Sequence, residues 1–167
     1  MTDARMPIGD TLVGIHYELL SWESEPPPTE SADEVSMGLT LEWLRASPTR
    51  VSWSSITEHE GLVLGGPELH DPSPEVEIVD VSTRWGSLVG DRLEDCCFSH
   101  AQPPAELPWA MNLHFASGRH LVIALGELLP SGPAYIPDCL VITDSRDLAQ
   151  SFAPVAALGT AWSDLAE

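Results

Sequence analysis

The stretch WAMNLHFASGRHLVIAL, residues 109–125, decides the fold. Trp109, Met111, Leu113 and Phe115 alternate with smaller or polar residues on one arm, and Leu121, Ile123 and Leu125 alternate on the other. A period of two belongs to a β-strand, whose successive side chains point to opposite faces. The phases of the two arms select the turn between them. A two-residue loop at Ser117 and Gly118 would pair Phe115 with His120 and set the apolar residues of the second arm on the wrong face. A three-residue loop, Ala116 to Gly118, places Gly118 where such loops need a left-handed backbone and sets Leu113 opposite Leu121 and Met111 opposite Ile123. The sequence predicts the second arrangement, with the corollary that His114 and His120 face each other across the outer surface.

Moving toward the C-terminus, residues 130–137 read as loop, and residues 139–143 (CLVIT) are a continuous apolar run of the kind that fills a central strand buried on both faces. Asp144 and Ser145 are suited to cap a helix reaching about Phe152, with Pro154 ending it. The remaining tail, 155–167, is expected to be loose or to dock on the sheet.

Toward the N-terminus, Val13, Ile15, Tyr17 and Leu19 alternate with Gly14, His16 and Glu18, and Met37, Leu39, Leu41 and Trp43 alternate with Ser36, Gly38, Thr40 and Glu42. Val51 and Trp53 continue the pattern after a turn at residues 46–49. Between the first two strands, residues 23–34 (ESEPPPTESADE) carry three consecutive prolines among acidic and small residues, which predicts a solvated acidic loop. Around Val76 the apolar phase changes, so the strand there is buried on both faces or carries a bulge. Trp85, Leu88, Val89 and Leu93 have helical spacing, and residues 93–98 read as another short strand. The expected fold is mainly β (α+β), an antiparallel sheet or partly closed β barrel of roughly six to eight strands with one C-terminal helix, in one globular domain over 1–167.

Composition narrows the function. Twenty-six acidic residues face seven basic ones, all arginine, for a formal net charge of −19. Affinity for nucleic acid rests largely on Lys and Arg releasing counterions from phosphates, so nucleic acid is excluded as a partner, and anionic membrane surfaces likewise. Such a field favours encounter with a basic protein. Cys96, Cys97 and Cys139 are an odd set with no disulfide or zinc-ribbon spacing, which predicts reduced core thiols. With no secretory h-region and no apolar run of membrane-spanning length, the expected location is cytoplasmic.

No glycine-rich phosphate loop, paired metal spacing or nucleotide fingerprint occurs, and no cofactor is expected. The His114 and His120 pair is a candidate for metal ligation that lacks a visible third ligand. Glu58, His59 and Glu60, and His70 with Asp71, pair carboxylates with imidazoles but have no accompanying nucleophile. Cys96 and Cys97 beside His100 resemble a nucleophile pair only in composition, because Glu94 and Asp95 would raise the thiol pKa. No catalytic residue is assigned. Trp22 falls out of phase with the buried positions of its strand and borders the acidic loop, marking it as an exposed aromatic anchor. The leading expectation is a non-catalytic interaction protein that binds a basic protein partner through Trp22, Glu23, Glu25, Glu30, Asp33 and Glu34, with Glu58 and Glu60 as a second patch. Toxin-neutralising immunity proteins and nucleic-acid mimics work in this way. The alternative is a small-ligand-binding β barrel, or an enzyme whose residues assemble only in three dimensions.

Overall fold

The computed structural model describes residues 6–22, 32–56, 59–66, 74–100, 107–134 and 138–151. Twelve strands and one short helix follow one another: β1 (Leu12–Leu20), β2 (Ala32–Val35), β3 (Gly38–Trp43), β4 (Thr49–Ile56), β5 (His59–Gly65), β6 (Val76–Asp80), β7 (Leu93–His100), β8 (Pro108–Phe115), β9 (His120–Leu125), β10 (Glu127–Leu129), β11 (Gly132–Ala134), β12 (Leu140–Thr143) and α1 (Arg146–Ser151). Two five-stranded antiparallel sheets have the orders β5-β4-β3-β1-β6 and β2-β12-β9-β8-β7, and β10 with β11 forms a separate hairpin. No barrel closes. The strands are more numerous than periodicity suggested, because β11 sits inside the region read as loop, 130–137, and its partner β10 lies just before it.

The 109–125 hairpin adopts the predicted register, with Met111 opposite Ile123, Leu113 opposite Leu121 and His114 opposite His120. Gly118 sits at φ 81°, where a Cβ would be strained, and its N–H donates to the Phe115 carbonyl at 2.8 Å. Trp109, Met111, Leu113 and Phe115 all turn into the core, together with Leu121, Ile123 and Leu125. The intervening residues Ala110, Asn112, Val122 and Ala124 are buried as well, so this hairpin is covered on both faces. The strand read at 139–143 is β12, all four of whose residues are buried between β2 and β9. Ser145 caps α1 by accepting the Leu148 N–H at 3.2 Å, as its position suggested.

β2 belongs to the second sheet although β3, two residues later, belongs to the first. The chain therefore crosses between sheets at Ser36 and Met37. One hydrophobic cluster joins the inward faces: Ile15, Tyr17, Leu39, Leu41, Val51 and Leu62 from the first, and Val35, Met111, Leu113, Ile123, Leu125 and Ile142 from the second. Each such side chain removed from water contributes about 1.5–3 kcal/mol. Gly61 marks a close approach, since a Cβ there would lie 2.2 Å from Leu107 Cβ.

Several expectations need correction. In β1 a register shift between Leu12 and Gly14 turns Leu12 inward and leaves Val13 exposed, so the alternation begins at Leu12 and resumes at Ile15. β6 is neither bulged nor doubly buried. It is an edge strand in regular register with β1, with Val79 packed on the core and Ile78 exposed. The stretch at Trp85 forms consecutive turns over residues 82–90 instead of a helix, with Gly86 and Gly90 interrupting it, although Trp85 and Leu88 are fully buried. The last three positions of the 23–34 loop are strand: Ala32, Asp33 and Glu34 pair with β12. The tail 155–167 lies outside the described residues. Among the described residues no helix is long and apolar enough to cross a membrane.

Candidate functional site

The residues singled out as a docking surface fall in three places. Trp22 follows β1 and is 66% exposed. Beside it the Ser21 N–H donates to the Glu75 carbonyl at 2.7 Å, and Leu20 and Leu19 pair with Val76 and Glu77 of edge strand β6. Glu75, Glu77, Ile78 and Asp80 are all exposed, so the aromatic side chain borders an acidic strand edge with one apolar residue in it. Sequence reasoning missed β6 as a neighbour of Trp22, because that pairing joins segments more than fifty positions apart and only the register reveals it. Glu23, Glu25, Glu30 and Glu58 lie outside the described residues. Glu60 is half-buried on edge strand β5.

Asp33 and Glu34 are corrected. Asp33 is 3% exposed and points between the sheets, where a carboxylate survives only if paired and hydrogen-bonded. The Tyr17 hydroxyl donates to its Oδ2 at 2.8 Å and Arg84 Nη2 donates to its Oδ1 at 3.2 Å. Trp85 Nε1 in turn donates to the Tyr17 hydroxyl at 2.7 Å, and the Arg84 guanidinium stacks 4.9 Å from the Trp85 ring centroid. Burial, then the Asp33 carboxylate, hold the Tyr17 phenol protonated far above its ordinary range. This chain of contacts fixes β1, β2 and the 82–90 turns to one another and leaves Asp33 unable to meet a partner. Glu34 accepts the Leu128 N–H at 2.8 Å and so anchors β10.

A second ionic node lies on the outward face of the first sheet. Arg50 Nε and Nη2 form a fork to Glu18 Oε1 and Oε2 at 2.7 and 2.6 Å, and Nη1 donates to Ser52 Oγ at 2.9 Å. Glu18, Arg50 and Ser52 are all buried. Asp10 is also buried. Burial opposes its charge, but the N–H groups of Ala46, Thr11 and Arg45 and the Arg45 side chain together hold its pKa below 3.8. Four arginines are thus engaged with carboxylates: Arg45 with Asp10, Arg50 with Glu18, Arg84 with Asp33 and Arg92 with Glu94.

His114 and His120 do face each other, with ring centroids 4.4 Å apart and the rings at 71°. They are half-buried, not fully exposed as the outer-surface reading implied. Among the described residues no third His, Cys, Asp or Glu donor joins them in a ligand group. Burial first, then His114 and Arg146, push the His120 pKa below 6.5. An open pocket of about 530 Å³ lies beside the pair, lined by Ser87, Gly118, Arg119, His120, Asp144 and Arg146. The β8–β9 turn supplies Arg119 and the capping segment of α1 supplies Asp144 and Arg146.

Glu127, Asp138 and Cys139 bring one donor atom each within 4.8 Å of one another. Burial, then Glu34 and Asp138, raise the Glu127 pKa. Hard oxygens with one thiolate can hold a divalent cation, provided the thiol loses its proton. Asp138 and Cys139 were visible in the sequence as neighbours, whereas Glu127 reaches them only through the β10–β11 excursion. Cys96 and Cys97 lie on edge strand β7, so the expectation of buried thiols fails at the exposed Cys97. The electrostatic expectation holds for Asp95 but not for Glu94, and burial is the larger cause. Burial, then Cys97 and Asp95, push the Cys96 thiol up to about 12, and burial with Asp95 raises that of Cys97. Neither is an activated nucleophile. No protein-family model matches the chain, and neither a curated protein nor a solved structure matches it.

Proposed function

We propose that this chain is a non-catalytic docking protein that binds a basic protein partner through its acidic surface. The observation that carries the reading is the edge of β6, along which Glu75, Glu77, Ile78 and Asp80 are exposed, next to the end of β1 that leads into the exposed Trp22. An edge strand leaves one row of backbone N–H and C=O groups unpaired, which is the template an added strand uses, and carboxylates along it disfavour self-pairing. A segment carrying Lys or Arg satisfies both the backbone row and the charge. Trp22 supplies the large apolar contact area that a hot spot needs. The engagement of Arg45, Arg50 and Arg84 by the buried carboxylates of Asp10, Glu18 and Asp33 adds support, because those guanidiniums do little to neutralise the exposed carboxylates.

The test is capture from host extract at about 0.1 M and about 1 M salt, between which the screening length falls from about 10 to about 3 Å. The expected result is a basic protein retained at low salt and released at high salt, with retention lost in the Glu75→Gln/Glu77→Gln double variant and in Trp22→Ala. Capture of no basic protein, or capture indifferent to salt and to these substitutions, would remove the reading.

A further inference from the structure

The chain repels anions at long range, yet the pocket beside the β8–β9 turn gathers Arg119, Arg146 and His120, with His114 behind them. We propose that this pocket binds a small molecule through an oxyanion, a phosphate or a carboxylate, gripped by Arg119, Arg146 and His120. The pocket is an open depression, so it would hold a ligand by its oxyanion end without enclosing it. Guanidinium forks match the geometry of both oxyanions and hold them through charge-assisted hydrogen bonds. Arg119 is positioned in advance: its Nη1 donates to the Ser87 carbonyl at 2.6 Å, which fixes the side chain without cancelling its charge at that contact. His120 Nδ1 and His114 Nε2 are buried and make no hydrogen bond among the described residues. Asp144 in the lining can accept from a hydroxyl or ammonium group carried beside the oxyanion. A net charge of −19 makes diffuse anion adsorption unfavourable, so binding here has to come from these local contacts.

The charged and titratable groups around His120 are His114 of β8, Arg119 of the turn, and Asp144 and Arg146 at α1, with Asp95 of β7 opposite His114. An oxyanion bound against Arg119 and Arg146 would favour the imidazolium form of His120. Inorganic phosphate and acetate are therefore titrated separately into the full chain at fixed ionic strength, and the histidine side chains are followed by NMR. At least one anion is expected to give a saturable shift of the His120 resonances and to raise its apparent pKa. That response should weaken at least about tenfold in Arg119→Gln and in Arg146→Gln and persist in Arg45→Gln. A response to phosphate alone assigns a phosphorylated ligand, and one to acetate alone a carboxylate. No saturable shift with either anion up to about 20 mM, or equal shifts in Arg119→Gln and Arg45→Gln, overturns the proposal.

Discussion

On the outward face of the first sheet the buried positions include Glu18, Arg50 and Ser52, while on the outward face of the second they include Ala110, Val122, Ala124 and Val141. At these positions both faces exclude water, one around a forked ion pair and the other with mostly aliphatic side chains, joined by the polar Asn112 and Thr143, partly beneath α1. The difference teaches that burial on a sheet's second face does not demand an apolar sequence. It demands that a charge brought there be paired, and Glu18 and Arg50 pair with each other from strands separated in the sheet only by β3.

The sharpest way to break this comparison is to leave one charge unanswered. Glu18→Leu strands the Arg50 guanidinium in a buried site, and urea denaturation should show a loss of about 3–5 kcal/mol. Glu18→Leu combined with Arg50→Met should recover most of that loss, since an apolar pair of similar volume often replaces a buried ion pair without cost. A double variant as unstable as the single would mean that the two faces are not equivalent solutions. On the second sheet the corresponding change removes volume only: Val122→Ala should cost about 1–3 kcal/mol, measured in the same way. A smaller effect is expected at the hairpin that carries that face. Gly118→Ala places a side chain at φ 81° and should lower stability by about 1 kcal/mol without changing the strand register, which cross-strand NOEs between Met111 and Ile123 would verify.

The smallest effect is in pH dependence. The His120 pKa is depressed by burial and then by His114 and Arg146, so below 6.5 the unfolded chain takes up a proton that the folded chain does not. Stability contributed by this group is complete above 6.5 and falls as pH is lowered toward the folded value. His120→Gln should flatten the stability profile in that window, as read from thermal melts across it.

The hairpin at 109–125 and the strand at 140–143 were legible because their periodicity is local and their turn chemistry permits only one phase. The capping Ser145 was legible for the same reason. The two-sheet arrangement, the strand count and the burial of Asp33 were not, because each depends on which strands become neighbours. Nothing near Asp33 in the sequence distinguishes it from the acidic residues before it. Its partners Tyr17 and Arg84 come from another strand and a distant turn. Trp22 was legible as a phase violation, while the acidic edge beside it emerged only from the β1–β6 pairing. The pocket residues Arg119, Asp144 and Arg146 are polar positions near chain reversals and carry no signal of convergence.

The crossing at Ser36 and Met37 constrains the order of events during synthesis. β2 emerges early but its sole ladder partner, β12, lies about a hundred positions downstream, so an early segment has to wait for the late one. The second sheet therefore closes only once residues through Thr143 are available, and a product truncated before Leu140 would leave β2 without its ladder and β9 with an open edge, an invitation to pair with another nascent copy.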